Sequence, residues 1–117
     1  MNEYLMLMRN DGNPMAGLSP EEMQAHLQRW TEWMGGLAAA GRLVGGRPLG
    51  SGAACVREEL VTDGPYAEAK DVVGGYVIVA CESLEHAIET ARGCPVVELG
   101  SVVEVRETDS NVLETDG

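Results

Sequence analysis

The run Gly74-Gly75-Tyr76-Val77-Ile78-Val79-Ala80-Cys81 is of strand length and almost continuously apolar. A strand built from it turns hydrophobic side chains to both faces of its sheet. Residues 3–8 behave alike, with Leu5 and Leu7 on one face and Tyr4, Met6 and Met8 on the other. A sheet holding two such strands must be covered on both sides. That requirement narrows the folds open to a chain of 117 residues, which supports one hydrophobic core and is too short for two ordinary domains.

Cover for the sheet comes from two helices. In Ser19-Pro20-Glu21-Glu22, Ser19 is an N-cap, Pro20 sits at the first helical position and Glu22 completes a capping box. Met23, Leu27, Trp30, Met34 and Leu37 then follow at spacings of four, three, four and three, a single apolar stripe, and Gly41 ends the helix. The second helix is capped by Ser83, carries Leu84, Ala87, Ile88 and Ala91, and stops at Gly93-Cys94-Pro95. Between the first helix and the central strand, Leu43 to Leu49 and Ala54 to Thr62 read as two strands joined at Gly50-Ser51-Gly52, and Gly45-Gly46 and Pro48 imply a bulge or an edge in the first. Ser101 to Arg106 is the last strand.

The order is βαββαβ with an extra hairpin element, the ferredoxin-like α+β pattern. Two helices cover only one face of such a sheet. The other face is expected to meet a second copy of the chain, forming a homodimer, because a monomer would expose a large apolar patch. Residues 1–107 form the domain, and 108–117 read as an acidic, polar C-terminal tail.

The formal charge of -11, with only eight Lys and Arg, argues against nucleic acid and anionic membranes as partners. No apolar stretch approaches a membrane span, and the N-terminus lacks the basic start and long apolar run of a signal peptide, so a cytoplasmic location is expected. Cys55, Cys81 and Cys94 are odd in number and scattered, which suits reduced packing thiols and offers no structural metal site. No P-loop, dinucleotide fingerprint or Ser-His-Asp motif is present, and no cofactor is expected.

The segment Thr62 to Asp71 carries more charge than a turn needs. An aspartate opening a turn normally accepts from the N–H two residues on, but after Asp63 that residue is Pro65, which has none. A bond to the N–H of Tyr66 remains open to it. Asp63-Gly64-Pro65-Tyr66-Ala67-Glu68-Ala69-Lys70-Asp71 with Gly74-Gly75-Tyr76, then Ala91-Arg92-Gly93-Cys94-Pro95 and Val103-Glu104-Val105-Arg106, resembles the DGPF-domain branch of the YCII-related proteins. Tyr66 stands where that branch has phenylalanine, Asp71 where glutamate is usual, and Glu107 where proline often follows the arginine. The resemblance implies a dimeric α+β barrel of ferredoxin-like protomers. It also implies a His and Asp pair as active site, with one branch of the family removing chloride from a hydroxylated aromatic and DGPF members often accompanying sigma factors.

His26 and Asp63 occupy the positions similar to that pair, as base and orienting partner. On a helical wheel His26 lies about 40° from Trp30 and about 20° from Trp33, at the edge of the apolar stripe. His with Asp is a pairing that takes a proton near neutral pH while fixing the tautomer; the plainer alternative is a boundary histidine packed on Trp30. Trp33, Tyr66, Glu68, Lys70 and Arg106 are the candidate ligand contacts, Lys70 and Arg106 for an anionic group, with a solvated turn and an exposed strand-end charge as the competing readings. The glycines at 74 and 75 fit either a ligand close to the backbone or a bulge. The resulting expectation is a small-molecule acid/base enzyme of isomerase or lyase type. Its competitor is a ligand-sensing or protein-binding module linked to sigma-factor-type regulation.

Overall fold

A computed structural model describes residues 1–11, 14–50, 52–64 and 71–109. The elements in chain order are β1 (Asn2–Asp11), α1 (Pro20–Ala39), β2 (Leu43–Pro48), β3 (Ala54–Val56), β4 (Val61–Asp63), β5 (Asp71–Cys81), α2 (Leu84–Arg92), a 3-10 turn (Pro95–Leu99) and β6 (Val102–Glu107). β2, β5, β1 and β6 form an antiparallel sheet in that order, and β3 and β4 form a separate pair. With the β3–β4 pair set aside, this is the ferredoxin-like arrangement: the two strands that open and close the chain lie side by side, and the helices cross one face.

The ends of α1 follow the chemistry of its sequence. Ser19 Oγ accepts from the N–H of Glu22, and the Glu22 carboxylate accepts from the N–H of Ser19. At the other end Gly41 takes φ 71°, the left-handed conformation that glycine adopts without strain. The N–H groups of Gly41 and Arg42 thereby reach the carbonyls of Ala38 and Leu37, closing a Schellman motif. In α2, Ser83 Oγ accepts from the N–H of His86. Ala87 and Ala91, buried and short, let that helix lie close to the sheet.

The core sits between the sheet and the helices. Tyr4, Met6 and Met8 of β1 and Val77, Val79 and Cys81 of β5 are buried there with Leu37, Cys94 and Val96. Burial raises the Cys94 thiol to about 11, so it packs as an inert apolar group. The opposite face carries Leu5 and Leu7 opposite Ile78 and Tyr76, all only partly covered by this chain.

Two expectations are corrected. Leu43–Leu49 does not pair with Ala54–Thr62: β2 runs antiparallel to β5 instead, and the second stretch splits into β3 and β4. The charged run Arg57-Glu58-Glu59 is the cause. It turns the chain, with the N–H of Arg57 on the carbonyl of Leu60 at 2.6 Å and the reverse bond at 3.3 Å. The second correction concerns α1. Its inward face holds His26, Trp30, Trp33, Met34 and Leu37: Trp30, Met34 and Leu37 lie as expected, but His26 and Trp33 join them while Leu27 is 54% exposed. The Trp33 indole, turned inward, outweighs Leu27 in buried area and draws the helix round. His26, expected at a core boundary, is therefore fully enclosed.

Candidate functional site

A mismatch between β1 and β5 shapes the site. Met8 faces Gly75 and Arg9 faces Val73, so Gly74 is an extra residue in β5 and forms a bulge. Its carbonyl accepts from the N–H of Leu49 just beyond β2. A bulge, one of the two readings open for the glycines at 74 and 75, is what occurs there. Nearby, β2 crosses β5 so closely that a Cβ on Gly46 would lie 2.7 Å from the Tyr76 carbonyl oxygen.

Between this end of the sheet and α1 lies a cleft of about 510 Å3. Leu27, Trp30 and Met34 line it from α1, and Met8, Gly75 and Tyr76 from the sheet. Asn10, Pro14, Met15, Arg47 and Pro48 also line it. The exposure of Leu27 is thus exposure to the cleft. A largely apolar concavity of this size with a few polar groups suits a small organic molecule.

Directly behind the wall stands His26. The indole N–H of Trp30, one helical turn on, donates to Nε2 of His26 at 3.0 Å, and the rings meet edge to face at 6.4 Å. An indole N–H can only donate, so the neutral imidazole carries its proton on Nδ1. That Nδ1 is buried and has no hydrogen-bond partner among the described residues. Burial lowers the pKa of His26, the Arg29 charge lowers it further, and Glu98 opposes both. Arg29 and Glu98 stand 3.2 Å apart as an ion pair between α1 and the 3-10 turn.

The other candidates are distributed around the fold. Asp63 is exposed at the end of β4, opposite Ala54, and neither a hydrogen bond nor an ion pair joins it to His26. Trp33 donates to the Thr90 carbonyl at 3.2 Å and stacks edge to face on Trp30 at 5.6 Å. It ties α1 to α2, and Trp30 is the indole in the cleft. Arg106 is exposed on β6 and pairs with Glu104 at 3.2 Å; Glu104 also takes the Arg9 Nε–H at 2.6 Å. These bonds, Arg9 first, hold the Glu104 carboxyl below its usual range. Tyr66, Glu68 and Lys70 lie outside the described residues. Sequence reasoning passed over Trp30 and Met34 as core and did not consider Asn10. Their signal, a bulge at Gly74 opposite the end of β1, appears only once the strands are paired.

Among the described residues no helix is long and apolar enough to cross a membrane. A sequence profile of the YCII-related domain matches residues 2–109. An uncharacterised protein of Rhizobium meliloti, R00369, is 30% identical over 95 residues, which cover 76% of this chain and 77% of that protein. The fold is similar to that of 5-chloro-2-hydroxyhydroquinone dehydrochlorinase from Burkholderia phenoliruptrix, solved in complex with 2,5-dihydroxybenzoquinone. The TM-score is 0.51 at 16% identity, covering 92% of this chain and 93% of that one.

Proposed function

The chain belongs to the YCII-related family, and on that premise we propose that its cleft takes up a compact cyclic compound and handles a proton on it. The observation that carries this reading is the His26–Trp30 pair. An imidazole biased toward its neutral form lies one hydrogen bond behind the wall of a cleft of ligand size.

In its catalytic form the reaction is an acid/base step of isomerase or lyase type. His26 is the base and Asp63 its orienting partner; Lys70 contacts an anionic group, and Tyr66 and Glu68 contact the rest of the ligand. A ligand hydroxyl that displaces the Trp30 indole meets the Nε2 lone pair and can pass it a proton. The Nδ1–H of His26, unpartnered among the described residues, is where an orienting carboxylate would bond. Asp63, which makes no bond to His26 in this arrangement, is the carboxylate assigned that place. Fold likeness to a dehydrochlorinase supports a small hydroxylated ring as the substrate class, by analogy. The reading includes a homodimer in which a second copy covers Leu5, Leu7, Tyr76 and Ile78 to close an α+β barrel in the cytoplasm.

The second reading is a ligand-sensing or protein-binding module linked to sigma-factor-type regulation. It is favoured by the enclosure of His26, whose Nε2 lone pair is already engaged. Titration of wild type, His26→Gln and Asp63→Asn with a chlorinated hydroxyhydroquinone separates the two, with calorimetry for binding and ion chromatography for released chloride. Binding by all three with release by wild type alone is expected of the enzyme. Binding without release favours the sensing module, and failure of wild type to bind contradicts both.

A further inference from the structure

The polar group that the cleft presents to a ligand is argued from the bulge. Asn10 lies at the end of β1 and lines the cleft beside Gly74 and Gly75. Its side-chain carbonyl Oδ1 accepts from the hydroxyl of Ser101, just before β6, at 2.5 Å. That bond fixes which way the amide faces: with Oδ1 held by Ser101, the Nδ2 donors point the other way. Nδ2 lies over Gly74, only 2.6 Å from where a Cβ on that residue would be. A side chain at 74 would push the amide from this place. The extra residue in β5 is thus a glycine whose missing side chain makes room for an amide in the cleft wall.

Nδ2 carries two hydrogens and finds no acceptor among the described residues. Methionine, tryptophan, leucine and proline side chains make up much of the surrounding wall. An oriented donor in such a wall discriminates strongly, because a ligand without an acceptor leaves it unpaired.

We infer that Asn10, held by Ser101 and admitted by Gly74, is the specificity-determining contact of the cleft, and that the ligand is a flat, mainly apolar ring bearing a carbonyl or anionic oxygen that accepts from Nδ2. This rests on the small-molecule reading of the cleft and adds the class of ligand atom it selects. Asn10 orients and selects; no step of proton transfer is assigned to it.

Acetophenone and ethylbenzene test the inference, since they share ring and size and differ in one acceptor oxygen. Their dissociation constants are measured by NMR titration of wild type, Asn10→Leu, Asn10→Asp and Ser101→Ala. Wild type is expected to prefer acetophenone by about tenfold, the worth of one well-made hydrogen bond. Asn10→Leu should remove the preference, bringing the two dissociation constants together, and Ser101→Ala should reduce it. In wild type the Asn10 side-chain NH2 signals, identified as those missing from Asn10→Asp, should move with acetophenone and stay with ethylbenzene. This readout does not depend on the leucine variant folding. A preference that survives in Asn10→Leu, or still NH2 signals, overturns the inference. Equal binding of both probes by wild type overturns it and leaves the cleft reading intact, whereas binding of neither removes both.

Discussion

The indole N–H of Trp30 and Nε2 of His26 are joined by a 3.0 Å hydrogen bond across one turn of α1. The indole lines the cleft; the imidazole is fully buried. The bond fixes the His26 tautomer with its proton on Nδ1 and occupies the one lone pair that the neutral ring has to offer. A change of charge on His26 therefore acts on the cleft wall, since an imidazolium Nε2–H cannot face an indole N–H.

This relationship sets the acid limb of the stability profile. The His26 pKa lies below its ordinary 6.5 in the folded chain, so the unfolded chain binds the proton more readily. The stabilisation is fully present above about pH 6.5 and is lost as pH falls from there through the folded value. Urea midpoints for wild type should decline as pH falls below about 6.5, and those for His26→Gln should be nearly flat there. The shifted carboxyl of Glu104 titrates only below the usual glutamate value of 4.5 and does not contribute there.

The pair should show strong coupling. Trp30→Phe strands a buried acceptor on His26, at a cost of about 1–3 kcal/mol beyond lost packing. His26→Leu leaves the indole N–H beside the cleft, where water can reach it. The double variant removes both partners, so a double-mutant cycle by denaturant unfolding should give a coupling of about 1 kcal/mol, and strict additivity would contradict the bond.

Much of this architecture is legible in the chain itself. Ser19, Pro20 and Glu22 announce the start of α1 and Gly41 its end, because caps are local chemistry. The two-sided apolar character of β1 and β5 likewise places them at the centre of the sheet. What the sequence hid depends on tertiary choice. The rotation of α1 that encloses His26 was decided by Trp33 against α2, because a stripe through Trp30 and Leu37 can widen to either side. The partner of β2 could not be read from its own residues, since β3 follows it closely in the chain and β5 does not. The bulge at Gly74, and with it the cleft, exists only in the register of β1 against β5. Asp63 was singled out by its proline and its family resemblance, and neither of these places it in space.

Glycine substitutions separate open from crowded positions. Gly35 and Gly36 sit within α1 with nothing near their missing Cβ atoms, so Gly→Ala at either should stabilise by roughly 0.5–1 kcal/mol. Gly46→Ala meets the Tyr76 carbonyl oxygen at 2.7 Å and should destabilise by about 1–3 kcal/mol. Thermal or urea unfolding of the three variants decides the ordering.

The open sheet face leads to an assembly prediction. Sedimentation equilibrium should give twice the 12.5 kDa mass of the chain. Leu7→Lys, which puts a charge in the middle of that face, should shift the mass toward a single chain while the circular dichroism of the fold is retained. A wild type that sediments as one chain at tens of micromolar would contradict the homodimer.

The central claim, that the cleft beside the His26–Trp30 pair receives the ligand, has a direct readout in the indole N–H signals of the two tryptophans. Trp30 faces the cleft, and Trp33 is tied to the Thr90 carbonyl. On titration with 2,5-dihydroxybenzoquinone the Trp30 indole resonance should move in proportion to occupancy while that of Trp33 stays. A Trp30 signal that stays still, or a shift confined to Trp33, would contradict it.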